Sequence, residues 1–128
     1  MTDIHDQKFK TLYLETAREY VGALSRDLTS LALEANNPNY VSQIRISAHS
    51  LKGQSNAVGY VHIAAIAHMI EEVARQFLEE QHSILPAEIY AMQSSLSALS
   101  SSLSTIEQEN HEADLTQAEE ELKGALKR

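Results

Sequence analysis

Apolar residues recur at spacings of three and four through four successive stretches of this chain, separated by breaks at Asn36-Asn37-Pro38-Asn39, Gly59 and Gln81-His82-Ser83. That period puts side chains on one face of an α-helix and does not fit the alternation of a half-buried strand. Phe9, Tyr13, Ala17, Tyr20, Leu24, Leu28, Leu31 and Ala35 form the first stripe. Asn36-Asn37-Pro38-Asn39 interrupts it, with Pro38 stopping the helix and Asn39 positioned to cap the next. Ile44, Ala48, Leu51 and Val58, with Ser55 in the same row, form the second, which ends near Gly59. The third runs from Val61 to Glu80 on Ile63, Ile66, Ile70, Val73, Ala74 and Phe77.

After Gln81-His82-Ser83, Pro86 opens the fourth helix, whose seam is Leu85, Ile89, Met92, Leu96, Leu99, Leu103 and Ile106. Fours and threes alternate there, which is the geometry of left-handed bundle packing. Short connections make neighbours antiparallel, so the fold expected is all-α, an up-down four-helix bundle over residues 1–107. Residues 108–128 are acidic and read as a linker or an extra helix. Leu115, Ala118, Leu122 and Ala125 would line its apolar side, with Asp114 as cap. The serines between Ser94 and Ser104 keep company with periodic leucines, so that stretch reads as a helix with a small polar exterior.

Composition narrows the function. A net charge of −8 disfavours a nucleic-acid backbone or an anionic membrane as partner. No cysteine is present, which excludes disulfides and thiolate metal sites. The first residues, Met1 to Asp6, lack the apolar core of a signal peptide, and no apolar run reaches membrane-spanning length. A cytoplasmic protein, monomeric in isolation, is expected.

One histidine stands apart. With Ile44 at zero on a helical wheel, the core row lies within about 40°. His49 then falls at about 140°, Lys52 at about 80°, Arg45 at about 100°, Asn56 at about 120° and Gly53 at about 180°. An imidazole, two cations, an amide and a glycine thus share the outward face, and Ile46 adds an apolar residue suited to docking. Gly53 costs roughly 1 kcal/mol against alanine inside a helix, and its missing side chain leaves room for a partner to approach the ring. On the third helix, with Ile66 at zero, Glu71 lies at about 140° and His68 at about 200°. An antiparallel hairpin of the second and third helices would bring Glu71 to His49. A carboxylate on Nδ1 fixes the tautomer and leaves Nε2 as the nucleophile.

Ala48-His49-Ser50-Leu51-Lys52-Gly53 resembles the phosphoacceptor motif of histidine phosphotransfer domains, which are four-helix bundles. His49, Lys52, His68 and Glu71 together resemble the phosphotransfer domain of chemotaxis-type histidine kinases, as does Leu14-Glu15-Thr16-Ala17-Arg18-Glu19 in the first helix. Gln54-Ser55-Asn56 departs from that family's usual run of small residues after the glycine. The resemblance implies that His49 is phosphorylated, that Lys52 and His68 assist, and that Glu71 hydrogen-bonds the acceptor ring. Arg45, Ile46, Gly53 and Asn56 would form the docking face. It implies a histidine-kinase ATP-binding domain as donor, bringing the ATP and magnesium, and the aspartate of a response-regulator receiver domain as acceptor. The chain itself would bind no cofactor and, as an isolated chain, would not be a catalyst.

Two other readings remain open: a stand-alone relay protein moving phosphate between receiver domains, and a helical docking bundle without phosphoryl chemistry. A surface pair of Glu71 with Arg75 is the bland alternative for that carboxylate. A metal site from His62, His68 and Glu71 is disfavoured, because the two histidines fall on different helix faces. His5, His62, His82 and His111 belong to no constellation and read as surface or turn residues.

Overall fold

The computed structural model describes residues 4–127, with side chains from Gln7 onward. The expectation for His5 and the reading of Met1 to Asp6 fall outside the described side chains. Five helices follow one another: α1 (Ile4–Leu33), α2 (Pro38–Ala57), α3 (Val61–Glu80), α4 (Pro86–Glu109) and α5 (Thr116–Ala125). No described residue is in a strand, and no described helix is long and apolar enough to cross a membrane. α1 packs on α2 and α4, and α2 packs on α3. α3 and α4 touch each other sparsely; α5 lies against both and closes that side of the bundle.

The stripes supply the core. Ala17, Leu24, Leu28 and Leu31 of α1, Ala48 and Leu51 of α2, Ile63, Ile66 and Ile70 of α3, and Leu99 and Ile106 of α4 are fully buried. Phe77 is partly buried against this core. Four stripe residues are exposed instead. Phe9 and Ala35 lie at the outer ends of the first stripe, and Ala35 lies two residues beyond Leu33, the end of α1. Val58 is 46% exposed because α2 ends at Ala57, after which the helical rotation no longer applies. Leu85 is 56% exposed as the residue before Pro86, and Ile84 fills the core in its place.

The turns are built from side-chain caps. Asn36 takes a left-handed conformation, with φ of 58°. Asn37, rather than Asn39, is the cap of α2: its Oδ1 accepts from the Asn39 amide at 2.9 Å. The reason is Pro38, which lacks an N–H and fits the first helical position, so the cap falls one residue earlier. Asn36 Oδ1 also accepts from the Ile84 amide at 2.9 Å, tying the α1–α2 turn to the α3–α4 turn. Gly59 turns the chain at φ of 87°, a left-handed conformation that L side chains rarely adopt. Glu88 reaches back to the Leu85 amide at 2.8 Å and secures the start of α4.

Ser55 sits in the apolar row of α2 with its hydroxyl 2.8 Å from that of Tyr13. Burial pushes the Tyr13 phenol up to about 12, so it remains a neutral hydrogen-bonding group at ordinary pH. Tyr60 stacks obliquely on the same ring, with centroids 5.1 Å apart.

Residues 108–128 contribute α5, with Leu115 and Leu122 buried in the common core. Leu115 occupies the N-cap position, while Asp114 Oδ1 accepts from the Thr116 amide at 3.0 Å. Ala118 is partly buried and Ala125 exposed, so the apolar side is narrower than its four-residue pattern. Two serines of α4, Ser95 and Ser102, are buried rather than exterior. Ser102 Oγ accepts from the Ala113 amide at 3.1 Å, and Ser95 flanks the groove shared with Leu115 and Leu122. No side chain of Tyr60 caps α3; Glu112 does so from the segment before α5, accepting from the Ile63 amide at 2.8 Å. His62 is likewise not isolated: its Nδ1 lies 2.6 Å from Glu119 Oε1 on α5.

Leu122→Ala removes a fully buried side chain at the α5 contact. It is expected to cost about 2–5 kcal/mol by urea denaturation while leaving the helical content of the native state unchanged. A loss below about 0.5 kcal/mol would mean that α5 contributes nothing to the core.

Candidate functional site

The α2–α3 hairpin assembles the site. Ala48 and Leu51 face the core on either side of His49, which rotates the imidazole outward and leaves its side chain 66% exposed. On α3, Ile70 is buried next to Glu71, and Glu71 lies at the groove between the helices with its side chain 15% exposed. The two meet: His49 Nδ1 is 2.5 Å from Glu71 Oε2. Lys52, one turn after His49 and 25% exposed, donates from Nζ to the other carboxylate oxygen, Oε1, at 2.6 Å. His68, one turn before Glu71, brings its Nδ1 to 3.7 Å from Oε1. One carboxylate is therefore shared by three of the four residues singled out in the sequence, with itself as the fourth.

Electrostatics fixes the protonation pattern. Partial burial pushes the Glu71 carboxyl up, but the hydrogen bonds from Lys52 and His49 outweigh it and hold the group below its usual 4.5. An ionised Glu71 only accepts, so His49 Nδ1 must carry the hydrogen. The lone pair of a neutral ring then sits on Nε2, across the ring from Glu71. An imidazole in this state is a nucleophile with its reactive nitrogen turned to the open side.

The neighbouring residues sort differently. Arg75 does not pair with Glu71; it is held by Glu72, by Glu79 at 3.2 Å and by Glu80 at 3.6 Å. Arg45 is turned toward α3, its guanidinium 3.4 Å from Glu79 Oε1. Ile46, Gly53 and Asn56 are exposed on the His49 side of α2, as their wheel positions require. His62 and His68 face different carboxylates, Glu119 and Glu71, and so do not converge. Sequence reasoning missed Glu79. Its signal lies in the hairpin register, which carries Arg45, one turn before His49, to the position two turns after Glu71.

A shared carboxylate thus lies beneath an exposed histidine, on a helical hairpin within a bundle. The family model described as Hpt domain matches residues 8–128. This chain belongs to the Hpt domain family. The chemotaxis protein CheA of Listeria monocytogenes is 37% identical over 62 residues, covering 48% of this chain and 10% of that protein. CheA of Borreliella burgdorferi is 27% identical over 71 residues, covering 56% of this chain and 8% of that protein. The chain thus spans about a tenth of the length of these curated relatives. Among solved structures, the phosphorylated P1 domain of CheA3 from R. sphaeroides, in complex with CheY6, shares the fold with a TM-score of 0.83. Sequence identity there is 15%, over 93% of this chain and 95% of that one.

Two outcomes follow for this Hpt domain. A carboxyl held low in the folded state contributes stability that is present above 4.5 and lost as pH falls through its lowered folded value. Denaturation curves from about pH 6 to about pH 3 should therefore show a smaller acid loss for Glu71→Gln than for the unaltered chain. Equal acid slopes would mean that the Lys52 and His49 bonds do not hold the carboxylate in solution.

Gly53 gives the second. A Cβ at this position meets nothing within 4 Å, so packing does not require the glycine. Gly53→Ala is expected to raise stability by about 1 kcal/mol in thermal unfolding. A fall in stability would show that the helix needs glycine there.

Proposed function

We propose that this chain is a phosphoryl carrier of chemotaxis-type two-component signalling, with His49 as the group that is loaded and unloaded. The observation that carries the reading is the 2.5 Å contact between Glu71 and Nδ1 beneath an exposed ring. It supplies the one tautomer in which Nε2 can attack phosphorus. The family match to an Hpt domain and the likeness to a phosphorylated P1 domain bound to CheY6 support it.

The donor in this reading is the ATP-binding domain of a cytoplasmic histidine kinase, which holds ATP and magnesium. Nε2 attacks the γ-phosphorus of ATP; the Nε2–P bond forms as the bond to the bridging oxygen breaks, and ADP leaves with that electron pair. The Nδ1 proton stays on the ring, hydrogen-bonded to Glu71, which offsets the positive charge developing on the imidazole. The resulting phosphoimidazolium can lose that proton to Glu71 or solvent. In the onward step a receiver aspartate oxygen attacks the same phosphorus. The N–P bond breaks and its electrons return to Nε2; Nδ1 takes back any proton it gave to Glu71 or solvent, which restores the neutral ring for the next loading.

Such transfers need in-line placement and charge stabilisation more than covalent chemistry from the carrier. Lys52 and His68 supply cationic or polar groups around Glu71, and Arg45, Ile46, Gly53 and Asn56 form the face on which the two partners dock in turn. The chain serves as a monomer and as a substrate of the kinase domain, without a cofactor of its own.

The test is intact-mass and phosphosite analysis after incubation with a chemotaxis-type kinase domain and ATP. One acid-labile phosphoryl group on His49 is expected, absent in His49→Gln and drained by a receiver. Glu71→Ala should slow loading by about tenfold or more without loss of fold; loading at the original rate would remove the tautomer-fixing role. Loading from a phosphorylated receiver but not from a kinase and ATP would identify a stand-alone relay. No loading from either donor would leave a docking bundle.

A further inference from the structure

We propose that Glu79 holds Arg45 away from the phosphoryl group of His49, and so keeps that group easier to pass on; this rests on the phosphoryl-carrier reading. Two cations lie within one turn of His49 on α2, and they are bound very differently. Lys52 makes a 2.6 Å hydrogen bond to Glu71, the same carboxylate that holds the imidazole, and is mostly buried. Arg45 lies 3.4 Å from Glu79, beyond the usual range of a hydrogen bond, with both side chains substantially exposed. Arg45 is thus free to exchange partners where Lys52 is not.

The second reason is on the other side of Glu79. Its carboxylate is also 3.2 Å from Arg75, which is itself flanked by Glu72 and Glu80. If Arg45 swings away, Glu79 keeps a cation, so departure leaves no carboxylate unpaired. Arg45 and His49 are one helical turn apart, roughly 5–6 Å between Cβ atoms. A phosphoryl group on Nε2 lies within reach of a guanidinium, which binds phosphate oxygens through paired N–H groups.

Glu79 and the phosphoryl group therefore compete for one arginine. A phosphohistidine with Arg45 fully engaged is a stabilised dianion and a poorer donor. Glu79 draws Arg45 back and raises the transfer potential. In this role Glu79 is a positioning residue acting through Arg45, and it touches neither the imidazole nor the phosphorus.

The experiment needs no protein partner. The full chain is loaded with phosphoramidate, in which the nitrogen–phosphorus bond of the reagent breaks, Nε2–P forms and ammonia leaves. The pH titration of the phosphoryl group is then followed by phosphorus NMR in the unaltered chain, Glu79→Gln, Arg45→Gln and the double variant. A cation beside the group favours the dianion and lowers its titration midpoint. Glu79→Gln is expected to increase the acid dissociation constant by about 2–5-fold, the range of an exposed ion pair. Arg45→Gln should decrease it by a similar factor, the double variant should match Arg45→Gln, and Glu79→Asp should restore the original midpoint.

A loss of fold alone would not move the phosphorus titration in this pattern. An unchanged midpoint in Glu79→Gln overturns the proposal, as does a Glu79→Gln shift that persists in full when Arg45 is absent. Either result leaves the carrier reading intact, because the chain has been loaded. Failure of phosphoramidate to load His49 in the unaltered chain overturns both.

Discussion

The register of the α2–α3 hairpin is the constraint on which the site depends. It puts Glu71 under His49, lets Lys52 reach the second oxygen of the same carboxylate, and carries Arg45 to Glu79. No one of these contacts sets the others; all follow from two apolar stripes meeting face to face with a tight turn at Gly59. Shifting either helix by one residue rotates its side chains by about 100° and would separate Glu71 from His49. The buried leucines and isoleucines that lock the register are thus as necessary to the chemistry as the polar residues. Ser55 has a different role: its bond to Tyr13 pins α2 to α1 while satisfying a polar group inside the core.

The bundle and the three residues around Glu71 were legible because both are written at helical spacing. A stripe repeating every three or four residues has one physical explanation, and a polar residue opposite that stripe must face outward. The wheel also fails where a helix ends. Val58 and Leu85 match their stripes on a wheel, yet the backbone leaves helical geometry at each, and a wheel has no information about caps. Asn37 and Asn39 are both good caps by residue type, and the position of Pro38 decides between them.

Contacts between distant segments were not legible. Glu112 caps α3 across a gap of 49 residues, and His62 finds Glu119 across 57. Both partners come from the acidic segment after α4, which reads from the sequence as a linker or an extra helix. Its two buried leucines, Leu115 and Leu122, were visible in the sequence as part of an amphipathic turn pattern, but no local rule says which groove receives them. The sparse contact of α3 with α4 gives the answer: the bundle has an open side, and α5 is short enough to fill it.

The same acidity bears on the phosphoryl chemistry. In the proposed carrier reading, a domain of net charge −8 that accepts a dianionic group adds negative charge to a surface already rich in it. Around His49 two cations, Lys52 and Arg45, flank the ring on its own helix. Each is nonetheless paired with a carboxylate, so neither is an unopposed positive charge. Free cations would bind phosphate indiscriminately and would hold a phosphohistidine too firmly for a carrier. In the carrier reading, pairing them would leave enough positive charge to tolerate the group and too little to trap it. A carrier must bind its cargo with a free energy between those of donor and acceptor, and shared carboxylates are a means of setting that level without a cleft.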